Sequence, residues 1–191
     1  MGATGNVGTS VLRSLRADDA VERVIGVARR RPLVELSKVE WRTADIATDD
    51  LDPLFAGADA VVHLAWAIQP SRDLEALTAT NVTGSRRVFE AVERTGVPTL
   101  LYASSIGAYT AGPKDRRVGE DWPVNGINTS FYSRHKAEVE RLLDDLEARS
   151  PSTRVVRLRK AIILKAGASC GIRRLFMGPL VPTTLIKPGR I

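Results

Sequence analysis

The chain has 191 residues, is 43% apolar and 26% charged, and carries a formal net charge of +6. That length supports one well-buried core with little to spare, and the composition is that of a globular protein rather than a disordered or fibrous one. No apolar run approaches the ~20 residues of a membrane span and no leader-like segment stands at the start, so we expect a cytoplasmic chain with no membrane partner.

Cys170 is the single cysteine, which excludes an internal disulfide and a thiolate metal cluster. His63 and His135 are far apart and carry no ligand-type spacing, so no metal is expected. The positive charge is concentrated late: residues 151–191 hold nine Lys or Arg and no acid. Aromatic residues are not interleaved with these cations, and no nucleic-acid partner is expected.

In chain order, the first feature is Gly2-Ala3-Thr4-Gly5-Asn6-Val7-Gly8, three glycines at spacing three running into the apolar periodicity of Val7, Val11, Leu12 and Leu15. This reads as a phosphate-binding turn opening a helix over Val7 to Arg16. Glycines there permit a tight turn, close approach of backbone to a pyrophosphate, and tight packing of helix on sheet. The strand that should precede such a turn is absent, since only Met1 stands before Gly2.

Arg23 to Ala28 reads as a short buried strand, followed by Arg29, Arg30 and Arg31. Val39 to Ala44 is a further strand ending at Asp45. Asp52-Pro53 opens a helical turn through Phe55, stopped by Gly57, and Ala60 to Leu64 is another buried strand. From Ser71 to Arg94 the apolar spacing predicts a long helix, irregular near its Thr-rich start, with Gly96 as its stop. Thr99 to Ala103 is a strand ending in Ser104-Ser105. A loop from Gly107 to Asn128 is longer than an ordinary connection, which suggests function. A helix from Thr129 to Arg149 and a strand within Pro151 to Leu158 follow. The stretch from Ile172 to Leu180 reads as the opening of an unfinished unit. Strands alternating with helices predict an α/β fold with a parallel sheet.

Tyr132 and Lys136 stand four apart and share one helical face. A phenol beside an ammonium is shifted toward the phenolate, which suits a tyrosine acid/base. Ser105, at the carboxyl end of a strand, lies where ligands bind in open α/β sheets. A hydroxyl there would hold a substrate oxygen while Tyr132 exchanges a proton; Ser104 is the weaker choice. An arginine near the strand end about 20 residues past the glycines accommodates the 2′-phosphate of NADP, whereas an acid selects NAD. Arg29 occupies that place, so NADP is preferred over NAD.

Taken in order, Gly2-x-x-Gly5-x-x-Gly8, Asp45-Ile46, His63-Leu64-Ala65, Asn81-Val82-x-Gly84, Ser104-Ser105 and Tyr132-x-x-x-Lys136 resemble the extended short-chain dehydrogenase/reductases, the NAD-dependent epimerase/dehydratase family, over nearly the whole chain. The resemblance implies a Rossmann-like doubly wound parallel sheet over residues 1–160, lacking its first strand, and only the start of a substrate-binding region over residues 161–191. It implies Ser105, Tyr132 and Lys136 as the catalytic set. It implies cofactor contacts from the glycine turn (Gly2, Thr4, Gly5, Asn6, Val7, Gly8), from Asp45 and Ile46 beside the adenine, and from Leu64, Ala65 and Trp66 beside the ribose. Asn81 would support that network, and Lys136 would bond the nicotinamide ribose. The implied activity is NAD(P)-dependent oxidation, reduction or epimerisation of a small carbonyl or hydroxyl compound, which includes nucleotide sugars, with a homodimer compatible. Rival readings are a cofactor-reading sensor and an inactive shortened fragment. The chain departs from the family pattern in three places. Ile106-Gly107 stands where dehydratases have Asp-Glu, Tyr109-Thr110 replaces Tyr-Gly, and Arg159-Lys160 replaces Arg-Pro, bringing a charge to where backbone normally approaches the nicotinamide.

Overall fold

The computed structural model describes residues 1–68, 73–163 and 165; Cys170 and the stretch from Ile172 to Leu180 lie outside them. Helix α1 (Asn6–Ala17) follows the glycine turn directly, and its buried residues are Gly8 and Leu12. Strands β1 (Val24–Ala28) and β2 (Val39–Thr43) pair in parallel, Val24 opposite Val39 through Ala28 opposite Thr43. After the short helix α2 (Asp52–Phe55), strand β3 (Val61–His63) pairs in parallel with β4 (Thr99–Tyr102), and β4 with β5 (Arg154–Arg157).

The sheet is therefore split into a pair, β1-β2, and a triplet, β3-β4-β5. Met1 and Gly2 bridge the two. The Gly2 and Ala3 amides donate to Val27 O at 3.0 and 3.1 Å. The Met1 amine donates to Val62 O at 2.7 Å, and Leu64 N donates to Met1 O at 3.0 Å. Beyond this short bridge the facing edges of β1 and β3 are separated by a cavity of about 750 Å³, lined among others by Leu12, Leu15, Ile25, Phe55 and Val62. The cavity lies where the strand expected ahead of the glycine turn would run.

The segment predicted as one long helix is three pieces. Helix α3 (Leu74–Thr78) passes through a π-helical turn (Ala79–Thr83) into α4 (Gly84–Thr95), and Gly96 ends it at φ +66. The irregularity expected near the Thr-rich start is this π turn, of the kind that re-aims a side chain where function needs it. The side chain so placed is Asn81. Helix α5 (Phe131–Arg149) begins with Ser130 as its cap.

Most of the core lies where α4 and α5 cover the triplet: Val88, Phe89 and Val92 from α4 meet Val139, Leu143 and Leu146 from α5 over Leu100 and Tyr102, all 2% exposed or less. A smaller cluster of Ala3, Leu12 and Trp41 ties α1 to the pair. Among the described residues, no helix is long and apolar enough to cross a membrane.

Candidate functional site

Three loop regions carry the expected site residues, each at the carboxyl end of a parallel strand or next to one. At the first, Gly2 adopts φ +74, and a Cβ there would lie 2.7 Å from Ala65 N. A Cβ on Gly8 would lie 2.4 Å from Gly2 O. Both must be glycine for the turn to sit against the loop after β3 and for α1 to close on it. Gly5 is the N-cap of α1, no side chain caps the helix, and its first turn carries no acid. The opening N-H groups and the positive end of the helix dipole are thus left for an anion. Thr4 is exposed, Val7 and Asn6 are half-buried, and Asn6 Oδ1 is buried without a hydrogen-bond partner. This turn fits a dinucleotide pyrophosphate.

At the second region, the loop after β3 carries Leu64, Ala65 and Trp66. It is clamped by Asn81, whose Oδ1 accepts from Ala67 N at 2.7 Å and whose Nδ2 donates to Ala67 O at 2.9 Å. Ile46 is buried, and its side chain packs where Gly84 lacks one. Asp45 accepts from Ala47 N at 2.9 Å and is half-buried at the end of β2, while Arg29 is exposed just after β1.

The third region joins β4 to α5. Ser105 caps a 3-10 turn (Ile106–Ala108), its Oγ accepting from Gly107 N at 3.0 Å. A Cβ on Gly107 would lie 3.2 Å from the Tyr132 ring and 3.3 Å from Ser105 Oγ, so both side chains are packed against the bare Gly107. The long loop is pinned to this place: Gly126 N donates to Ala108 O at 2.9 Å and Ile127 N to Ser133 Oγ at 2.7 Å.

Lys136 lies on the same face of α5 as Tyr132, 3% exposed. Its Nζ donates to Tyr102 Oη at 3.0 Å and to Ala103 O at 2.8 Å, and sits 5.9 Å from the Tyr132 ring centroid. Trp66 covers it, with Nζ 3.4 Å from the indole centroid. Burial pushes the Lys136 ammonium well below the ordinary lysine value. The nearby Lys160 pushes the same way and Glu140 opposes. Burial raises the Tyr102 phenol well above its usual value, so it stays a neutral acceptor for the lysine.

One turn further along α5, Glu140 is 2% exposed and surrounded by donors. Arg159 meets it through two bonds at 2.9 and 3.0 Å, Arg157 Nε stands 3.1 Å away as an ion pair outside hydrogen-bond geometry, and Ser104 Oγ donates to it. Burial raises the Glu140 carboxyl, but the bonds from Arg159 and Ser104 outweigh it and hold the group below its usual value. Ser104 is thereby engaged away from Ser105. Arg159 is turned to this carboxylate and to Tyr109 Oη at 3.1 Å. The charge expected beside the nicotinamide is thus consumed for Arg159, though not for Lys160. Among the described residues no group of His, Cys, Asp and Glu is arranged to hold a metal ion.

A Rossmann-type α/β fold with a glycine turn, a strand-end serine and a Tyr-Lys helix face defines a class of dinucleotide-binding fold. The comparisons place the chain within it: the model of the NAD dependent epimerase/dehydratase family matches residues 1–162, and the chain belongs to that family. It is 27% identical over 196 residues to the 2-alkyl-3-oxoalkanoate reductase of Shewanella oneidensis, covering 100% of this chain and 48% of that protein. It is 31% identical over 134 residues to the sterol-4-alpha-carboxylate 3-dehydrogenase (decarboxylating) of Saccharomyces cerevisiae, covering 68% and 38%. The solved structure of MoeE5 in complex with UDP-glucuronic acid and NAD superposes at a TM-score of 0.70 with 28% identity, covering 83% of this chain and 52% of that one. The chain spans about half the length of such relatives or less.

Sequence reasoning missed the Glu140 cluster and the stacking of Trp66 on Lys136. The i, i+4 spacing of Lys136 and Glu140 was a usable signal. The arginine partners of Glu140, on and just after β5, left no local trace.

Proposed function

We propose that this chain is the nucleotide-binding and proton-transferring part of an NAD(P)-dependent oxidoreductase or epimerase acting on a carbonyl or hydroxyl group. The observation that carries the proposal is that Ser105 Oγ and the Tyr132 ring both lie against the bare Gly107. A substrate oxygen seated there accepts from Ser105 and exchanges its proton with Tyr132. The dinucleotide, when bound, supplies hydride transfer. Lys136 brings positive charge to the same face of α5, and Asn81 holds the loop that carries Leu64, Ala65 and Trp66. The turn Gly2 to Gly8 would hold the pyrophosphate, and Asp45 and Ile46 would lie toward the adenine.

For the choice of nucleotide, exposed Arg29 with Arg30 and Arg31 favours a 2′-phosphate and hence NADP; the structural neighbour above holds NAD. A thermal melt of the chain with saturating NADPH and with NADH decides it. A larger upward shift with NADPH supports the arginine reading, and a larger shift with NADH overturns it. Tyr132→Phe tests the chemistry: turnover should fall by about two to four orders of magnitude while nucleotide affinity stays within a factor of two. Unchanged turnover sinks the assignment.

A further inference from the structure

Among the described residues, Lys160 is a cation beside the site without a counter-charge. Its backbone is fixed against Ser105 by an isolated parallel bridge, with Ile106 N donating to Lys160 O at 3.2 Å. Among the described residues its ammonium makes one bond, to Ser104 O at 3.3 Å, long for a charged donor. No described carboxylate pairs with it. Glu140, the nearby acid, is occupied by Arg157, Arg159 and Ser104. Lys136, close enough to feel the Lys160 charge, holds the neighbouring carbonyl, Ala103 O, at 2.8 Å.

Two ammoniums on consecutive carbonyls at the end of one strand repel each other, and both are partly or wholly withdrawn from water. Such a pair is costly unless an anion joins it. The glycine turn lies on another loop and already suits the dinucleotide's own phosphates, so the anion that settles here enters with the other reactant.

Resting on the oxidoreductase reading above, we propose that Lys160 is a specificity residue that binds a carboxylate of the substrate, placed a few bonds from the oxygen held by Ser105 and Tyr132. The substrate class is then an oxo or hydroxy acid, including a sugar acid, rather than a neutral ketone or alcohol. Among the described residues the ammonium has donors left for a carboxylate, and its backbone is bridged to Ser105, the residue whose hydroxyl holds the reacting oxygen in this reading.

The test is calorimetric titration, at saturating nucleotide, of acetoacetate against methyl acetoacetate and of glucuronate against glucose, with the wild type, Lys160→Met and Lys160→Arg. The wild type should bind at least one acid about tenfold more tightly than its neutral partner, in line with a hydrogen bond to a charged group. Lys160→Met should erase that preference, and Lys160→Arg should keep most of it. A wild type that binds nucleotide but shows no acid preference overturns the inference and leaves the oxidoreductase reading standing. So does a preference that survives in Lys160→Met. Loss of nucleotide affinity in Lys160→Met with the acid preference intact assigns the lysine to a cofactor phosphate instead, which also overturns it. Absence of nucleotide binding in the wild type overturns the oxidoreductase reading and this inference together.

Discussion

Trp66 lies over Lys136, its ring centroid 3.4 Å from the ammonium nitrogen. The electron-rich face of an indole attracts a cation, and the attraction is worth about 0.5–2 kcal/mol depending on desolvation. It is one of few interactions that favour the charged form of a lysine whose burial opposes it. Trp66→Leu should therefore destabilise the chain by about 1 kcal/mol in urea unfolding, with Trp66→Phe losing less. Equal midpoints for the wild type and Trp66→Leu would show that the stacking contributes nothing.

Removing the carboxylate at Glu140 should be far more damaging. Two guanidiniums and a serine converge on a side chain that is 2% exposed, and Glu140→Ala leaves them facing one another. Breaking a buried ion pair from one side costs about 3–5 kcal/mol, enough to threaten the fold. Because Arg157 also reaches Asp144 and Glu147 at the surface, we expect the low end, about 3 kcal/mol, read as a shift of the urea midpoint.

Two glycines of the turn should separate by experiment. A methyl on Gly8 meets Gly2 O at 2.4 Å and Ala3 O at 2.7 Å, both backbone atoms, whereas one on Gly5 has Gly2 O at 3.3 Å as its only close neighbour. Gly8→Ala should lower the melting temperature of the ligand-free chain, and Gly5→Ala should barely change it. With nucleotide present, Gly5→Ala should weaken binding, because the methyl stands at the uncapped helix start. If both variants melt alike without ligand, the packing argument for Gly8 fails.

Stability should fall as the solution is acidified below neutrality. His63 is fully buried, its Nε2 3.0 Å from Ser85 Oγ, and burial first, then the positive charges of the amino terminus and Lys136, hold its pKa well below 6.5. Burial also lowers His135 and takes the Met1 amine from 8.0 down to about 5. In each case the unfolded chain binds a proton that the folded chain does not, so stability is present above the unfolded pKa and is lost as pH drops through it. Between pH 6.5 and 5 we expect His63 alone to contribute a loss of up to about 1.4 kcal/mol per pH unit. Urea titrations at a series of pH values read the slope, which should be shallower in His63→Gln. A flat profile for the wild type would contradict the buried neutral histidine.

Much of this architecture was legible because it is written locally. The glycine spacing and the apolar series through Leu12 placed α1, Gly96 marked the end of α4, and Tyr132 and Lys136 were readable as a pair because a helix repeats on a short range. The break between α3 and α4 was visible only as an irregularity, since a π turn has no strong sequence signature. The acceptors of Lys136 were not legible at all. Tyr102 lies 34 positions away and looks like any apolar strand residue. The same holds for Arg157 and Arg159, whose alternation with apolar residues says nothing of the buried acid to which tertiary packing turns both.

The split sheet makes whatever is attached ahead of Met1 a structural component. The terminal amine is buried against Val62 O and leads into the cavity between β1 and β3, so an added peptide has its last residues directed between the facing edges of those two strands. A fusion that ends in a short β-branched run should act as a splint, whereas one that ends in charged or glycine-rich linker should behave as a wedge. For anyone preparing this protein, the side on which a purification handle is placed is therefore an experimental variable in its own right.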